Sequence, residues 1–257
     1  MLVRQRHEPA GRRRLDGVLK PRVLWINPSG TDFSGTSIEA FAERIGTHVE
    51  TTLLGLRVWS LAPGDRYDMG VEVAAVAEAV GGGPVHLAGF SAGATVALGA
   101  ALALGEAVRS VALLEPAFIG DDDWDPAEAA WRSRQREIFA RPPAERIEPF
   151  RRLLMRPGIV PPPPRASWDW GFRDDLLEQM LFRATGFRSA DLAAIRAPVL
   201  AVRGGRSNPR WEAAHRRLAE ICPDFRESIF PALHHFAPPF REEPEQLAEL
   251  LLSFWGA

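Results

Sequence analysis

The chain reads as an α/β protein with a mostly parallel, doubly wound sheet, and three observations carry that expectation. Short continuous apolar runs recur along the sequence, each closed by a turn rich in glycine or proline. Strands buried on both faces have this pattern, and the helical segments between the runs supply the crossovers that a parallel sheet requires. At 257 residues, with 46% hydrophobic and 25% charged content, the chain suits one large domain with a buried core, or a core domain carrying an insertion.

Val23 to Ile26 reads as the first buried strand, ending at the turn Asn27-Pro28-Ser29-Gly30. Leu56 to Leu61 reads as another, closed by Ala62-Pro63-Gly64-Asp65. Val71 to Val80 has helical character up to the glycines at 81–83, Val85 to Ala88 is a strand, and Ala92 to Leu104 is an alanine-rich helix. Ser110 to Leu114 and Pro198 to Val202 complete the set of strands. From Gly120 to Asp191 no strand-like run occurs. That stretch holds Asp121-Asp122-Asp123, the run Pro161 to Pro164, and Trp124, Trp131, Trp168 and Trp170. An unstructured loop of such length is improbable, so 120–191 is expected to be an inserted helical cap on a core formed by 1–119 and 192–257. Its tryptophans either line an apolar substrate pocket or glue the insertion to the core.

A formal net charge of -2 gives no global pull toward nucleic acid or an anionic membrane. The basic run Arg12-Arg13-Arg14 is expected to be a solvated lead-in. The single cysteine, Cys222, excludes an intrachain disulfide and suits a packing role. The first residues lack the apolar segment of a secretion signal, and no apolar run reaches the ~18 residues of a membrane span. The expectation is a soluble, cytoplasmic protein acting on a small molecule, with no nucleic-acid or membrane partner. No glycine fingerprint for a dinucleotide follows a strand, no phosphate-loop lysine motif occurs, and metal ligands do not cluster, so neither cofactor nor metal is implied.

The most informative motif is Gly89-Phe90-Ser91-Ala92-Gly93, a G-x-S-x-G between a strand and a helix. A serine at so sharp a turn takes a strained backbone, which only small neighbours allow. The turn lifts the hydroxyl above the sheet edge. It also puts the amide of Ala92 at a helix N-terminus, where its N–H can face a developing oxyanion. Ser91 is therefore the candidate nucleophile.

On these residues the chain resembles the α/β-hydrolase superfamily over nearly its whole length, the cap excepted. The resemblance implies the order nucleophile, acid, histidine. The stretch from Pro231 to Phe240 resembles the loop after the family's last strand, where a histidine precedes an apolar residue; His235-Phe236 fits that place, with a final helix over Leu247 to Phe254. His234 stands where relatives usually have a small residue and is the lesser candidate for the general base. Many relatives carry an aspartate after the strand matching Pro198 to Val202, but here Arg203 to Pro209 contains no carboxylate. Ser207 and Asn208 can hydrogen-bond a histidine without balancing its charge. The alternative place implied by the resemblance is the end of the preceding strand, which here is Glu115-Pro116. Glu115 is thus the candidate acid, with Asp121 to Asp123 as distant alternatives. For the oxyanion hole, relatives usually carry a His-Gly pair after the first central strand, where this chain has Asn27-Pro28-Ser29-Gly30. Pro28 has no N–H to give, and the resemblance implies Ser29, beside Gly30, as the positional match for the second donor next to Ala92.

What the resemblance implies is a serine hydrolase cleaving an ester or related acyl bond through an acyl-Ser91 intermediate, with Phe90, Trp124, Trp131 and Trp168 as candidate substrate contacts. A thioesterase, acyltransferase or cyclase would use the same acyl-enzyme, and an arginine- and alanine-rich composition suits a high-GC bacterium with such tailoring enzymes. The missing carboxylate after Val202 keeps a third reading open, a binding protein on a fold that has lost its catalysis. A dehalogenase or epoxide hydrolase is disfavoured because its nucleophile is an aspartate.

Overall fold

Alternation along the strands decides how the sheet is covered. The computed structural model describes residues 14–15, 18–28, 37–62, 65, 67–122, 124–161 and 185–257. After a two-stranded antiparallel ladder of β1 (Arg14–Leu15) and β2 (Val18–Leu19), six strands form one parallel sheet: β3 (Arg22–Asn27), β4 (Glu50–Gly55), β5 (Val85–Phe90), β6 (Val108–Leu114), β7 (Val199–Gly204) and β8 (Phe225–Phe230). Their spatial order is β4-β3-β5-β6-β7-β8, and every pair is parallel. Successive side chains point to opposite faces. Leu24, Ile26, Leu87, Val111, Leu113, Val199 and Ala201 enter one core cluster, while Val23, Trp25, Ala88, Ala112, Leu114, Leu200 and Val202 enter another.

Helices close both faces. On the first lie α2 (Met69–Val80), α3 (Ala92–Leu104) and α6 (Arg210–Ile221); on the second lie α1 (Ser37–Ile45), α7 (Pro239–Glu242) and α8 (Pro244–Trp255). The helix ends follow their sequence signals: the side chain of Asp68 accepts the Val71 N–H at the start of α2, and Gly81 ends it in the left-handed conformation. The chain leaves β3 toward one edge of the sheet and returns on its other side at β5. This reversal opens a crevice outside the carboxyl ends of those two strands.

One strand differs from expectation. The run Leu56 to Leu61 contains a 3-10 turn, Arg57–Ser60, and the strand lies earlier, at β4. The buried carboxylate of Glu72 on α2 accepts the N–H groups of Arg57 and Val58 at 2.9 and 3.0 Å, which caps the turn. β4 is a half-buried edge strand beginning Glu50-Thr51-Thr52, so it lacks the continuous apolar run of a doubly buried strand.

Between β6 and β7 the described residues include two α-helices, α4 (Pro126–Phe139) and α5 (Ile147–Leu153). Hydrogen bonds at its root and along its length fasten this excursion. The Asp121 carboxylate accepts the N–H groups of Thr185 and Gly186, and Asp122 accepts the Ser189 N–H and hydroxyl at 2.6 and 2.7 Å. These acidic side chains, distant alternatives for a triad acid, are therefore occupied in joining the two ends of the excursion; Asp123 lies outside the described residues. Farther along, Glu128 of α4 receives Arg210 of α6 through two hydrogen bonds of 2.7 and 3.0 Å, and Arg132 at 3.0 Å. Burial alone would raise the Glu128 carboxyl, but these two guanidinium groups hold it below its usual value.

Candidate active site

The strand-to-helix turn after β5 has the geometry that its glycines predict. Ser91 has φ 54° and ψ −121°, a conformation that costs a non-glycine residue about 1–3 kcal/mol. Its surroundings hold it there. Its N–H donates to Leu114 O at 2.9 Å, and its carbonyl accepts the N–H groups of Ala94, Thr95 and Ala117 at 3.0, 3.3 and 3.0 Å. A Cβ on Gly89 would lie 2.5 Å from Gly93 O, and one on Gly93 would lie 2.1 Å from Ile26 O. No side chain fits at either position, because the first turn of α3 presses against the ends of β5 and β3.

The adjacent strand ends in a second strained residue. Glu115 follows β6 with φ 47° and is buried, while its N–H still pairs with Val202 O at 3.0 Å. The left-handed turn takes the chain out of the sheet and leaves the carboxylate at its carboxyl edge. There Oε1 accepts the Gly204 N–H at 2.7 Å, and Oε2 lies 2.7 Å from His235 Nδ1. Residues 115, 204 and 235 thus meet over the ends of β6 and β7, beside the elbow bearing Ser91, since Phe90 and Leu114 are register partners.

His235 is 8% exposed and enclosed by rings. Trp211 is stacked on it with centroids 4.9 Å apart and planes 14° apart; Phe90 lies 4.9 Å away at 30°, and Phe236 meets it edge-on at 5.7 Å. The neighbouring His234 serves the loop: its Nδ1 accepts the Phe236 N–H at 3.2 Å. Burial, followed by the charge of Arg206, holds the His234 imidazole below its ordinary value.

A profile of the alpha/beta hydrolase family matches residues 24–250. The chain belongs to the alpha/beta hydrolase family. Among solved structures, a bacterial membrane phospholipase A, described as a virulence factor, aligns with a TM-score of 0.66 at 23% identity over 92% of this chain and 79% of its own. A lipase-esterase related protein from Clostridium acetobutylicum gives 0.64 at 17% identity, over 91% and 95%. The carboxylesterase CesB from Bacillus subtilis gives 0.60 at 16% identity, over 91% and 83%. At these identities the likeness speaks for the alpha/beta hydrolase fold. No curated protein sequence matches the chain.

Within this alpha/beta hydrolase the remaining expected site residues are distributed unevenly. Ala92 is buried at the start of α3, where the first N–H groups of a helix have no intrahelical partner. Ser29 and Trp168 lie outside the described residues, as do Gly30 and Trp170. The last described residue before Ser29, Pro28, has its carbonyl held by the Trp59 indole N–H at 2.6 Å. Phe90 packs against His235 and Phe240. Trp124 is partly buried against the larger core cluster, and Trp131 is 7% exposed in a cluster with Phe118, Leu154, Met155, Trp211 and Phe236. Arg210 covers the Trp131 ring at 3.9 Å. Trp131 thus packs between the excursion and Trp211 of α6.

Sequence reasoning missed Trp211 and the Gly204 N–H. Trp211 sits on an amphipathic helix with no motif around it, and a backbone donor leaves no trace in side-chain patterns. Among the described residues, no group of three or more His, Cys, Asp or Glu side chains is placed to hold a metal ion, and no helix is long and apolar enough to cross a membrane.

Proposed function

We propose that this alpha/beta hydrolase is a serine esterase in which Ser91 is the nucleophile, His235 the general base and acid, and Glu115 the group that orients and charge-balances His235. The observation that carries the reading is the strained Ser91 elbow standing beside the Glu115–His235 hydrogen bond at one edge of the sheet. With Nδ1–H donating to Glu115, Nε2 of His235 keeps its lone pair for the serine proton. Attack of Ser91 Oγ on the ester carbonyl carbon forms the new C–O bond, and the hydroxyl proton passes to Nε2. The carbonyl oxygen becomes an oxyanion opposite the Ala92 amide, with Ser29 as the proposed second donor. Collapse breaks the ester C–O bond, and the alcohol leaves with the proton from His235. Water then repeats the sequence on acyl-Ser91, giving the carboxylic acid and the free serine.

The excursion 120–191 is read as a cap over this edge, and its aromatic content favours a small or medium apolar acyl group. Labelling with a fluorophosphonate probe and hydrolysis of p-nitrophenyl acetate and butyrate test the proposal. Wild type is expected to be labelled and active, and Ser91→Ala and His235→Ala to lose at least about a hundredfold in kcat/KM. Absence of both labelling and turnover in folded wild type would refute it and favour a binding role.

A further inference from the structure

Among the described residues the imidazole of His235 has one carboxylate partner, and several arginines lie around its neighbours. Arg151 lies over the Phe236 ring at 5.3 Å, Arg210 lies 5.6 Å from the Trp211 ring, Arg241 donates to Phe236 O, and Arg206 faces His234. Glu115 is the acidic group in contact with the ring, and His234 adds a titratable group from its own loop. Three of these cations are themselves paired, Arg210 with Glu128, Arg151 with Glu148 and Arg241 with Glu242, so a proton arriving on His235 meets chiefly the charge of Glu115. What lies directly on the ring is aromatic.

We infer that Trp211 is a positioning residue for His235: its indole face holds the imidazole plane and stabilises the imidazolium formed when the ring takes the serine proton. The inference rests on the serine-hydrolase reading above. Stacking at 4.9 Å and 14° presents the electron-rich face of the indole to the ring, the arrangement that attracts a cation most strongly among the aromatic side chains. The indole is held rigidly. Trp211 is 1% exposed, and its Nε1–H donates at 2.9 Å to the carbonyl of Pro116, the residue after Glu115. One side chain therefore ties α6 to the strand end that carries the acid and lies flat on the base. Any tilt of the ring about the Glu115 hydrogen bond would be opposed by that face.

Steady-state hydrolysis of p-nitrophenyl acetate across pH by wild type, Trp211→Leu and Trp211→Phe tests this, with fluorophosphonate labelling and melting curves alongside. Trp211→Leu is expected to lower plateau kcat by about tenfold, leave KM within about twofold, and move the midpoint of the acidic limb down by about 0.5–1 pH unit, because the cation loses its partner. Trp211→Phe keeps a flat face without the N–H and is expected to recover most of both effects. A Leu variant that melts earlier but keeps the wild-type limb and plateau would overturn the inference, as would a Phe variant as impaired as Leu. Should Trp211→Leu not fold, proton NMR of the wild type decides. The carbon-bound ring protons of His235, assigned through His235→Gln, are expected upfield of those of His48, and normal positions would overturn the stacking role. Wild type that is neither labelled nor active removes the hydrolase reading itself, and the role of Trp211 with it, so the two failures are distinguishable.

Discussion

Glu115→Gln removes one charge and almost no volume, and it should leave a folded protein in which the proposed esterase activity is nearly abolished. The two carboxylate oxygens have different clients: Oε1 takes the Gly204 N–H and Oε2 faces His235 Nδ1, each at 2.7 Å. A glutamine can place its oxygen toward only one of them. Pointing the amide nitrogen at Gly204 would set two donors against each other in a buried place, at about 1–3 kcal/mol, and the backbone cannot turn away. Pointing it at His235 needs only that the imidazole move its proton from Nδ1 to Nε2. The second arrangement wins, so the fold should survive while the base is held in the tautomer that cannot accept the serine proton. For this kind of change at a triad acid the loss in kcat is about 10³–10⁴-fold, or about 4–5 kcal/mol of transition-state stabilisation. The assay is p-nitrophenyl acetate hydrolysis at pH 7.5, with far-UV circular dichroism melts of both proteins. Activity within about tenfold of wild type, at an unchanged melting temperature, would refute the assignment of Glu115 and move the acid elsewhere.

Burial, followed by the charge of Arg109, holds His86 at about 4, below its ordinary 6.5. Its folded value lies below the unfolded one, so the unfolded chain binds the extra proton, and stability should fall as pH drops from 6.5 to about 4 and then level off. After discounting for solvent screening this contributes about 1–3 kcal/mol, and urea unfolding of wild type and His86→Gln at pH 7 and 5 should show the fall mainly in wild type. Arg210→Met takes from the buried Glu128 its two-pronged partner and leaves it the single bond from Arg132. The change should lower unfolding free energy in urea by about 3–5 kcal/mol; a loss under about 1 kcal/mol would show that the pair adds little. Gly93→Ala forces a methyl group to within 2.1 Å of Ile26 O, so fluorophosphonate labelling of Ser91 should disappear even where folded protein is recovered.

The features legible in the sequence were those encoded locally. The elbow announces itself because a strained serine between strand and helix needs small residues at 89 and 93, and the doubly buried strands announce themselves as unbroken apolar runs. Glu115 could be nominated because a carboxylate at the end of β6 coincides with its absence after β7, and the structure brings it to His235. β4 escaped because an edge strand buries only part of its surface, while Leu56 to Leu61 looked like a strand until a carboxylate from α2 capped it as a turn. Trp211 and Arg210 could not be placed from sequence. Their partners at 235, 116 and 128 are brought near only by the order of the strands, and nothing in the composition of α6 distinguishes a tryptophan that covers a histidine from one that fills a core.

The bonds from Asp121 and Asp122 to Thr185, Gly186 and Ser189 close the excursion at its root, before α4 begins. A chain segment whose two ends are clasped answers to the rest of the molecule only through the clasp and whatever it packs on. Its length then enters the folding free energy as a logarithm, with each doubling costing only about 0.6 kcal/mol. Changes of length between those aspartates and Thr185 therefore cost little, provided that α4, the end of α5 and the turn after it keep their bonds to Arg210, Gly205 and Asn208. The clasp thus uncouples the length of this segment from the sheet and its strained edge.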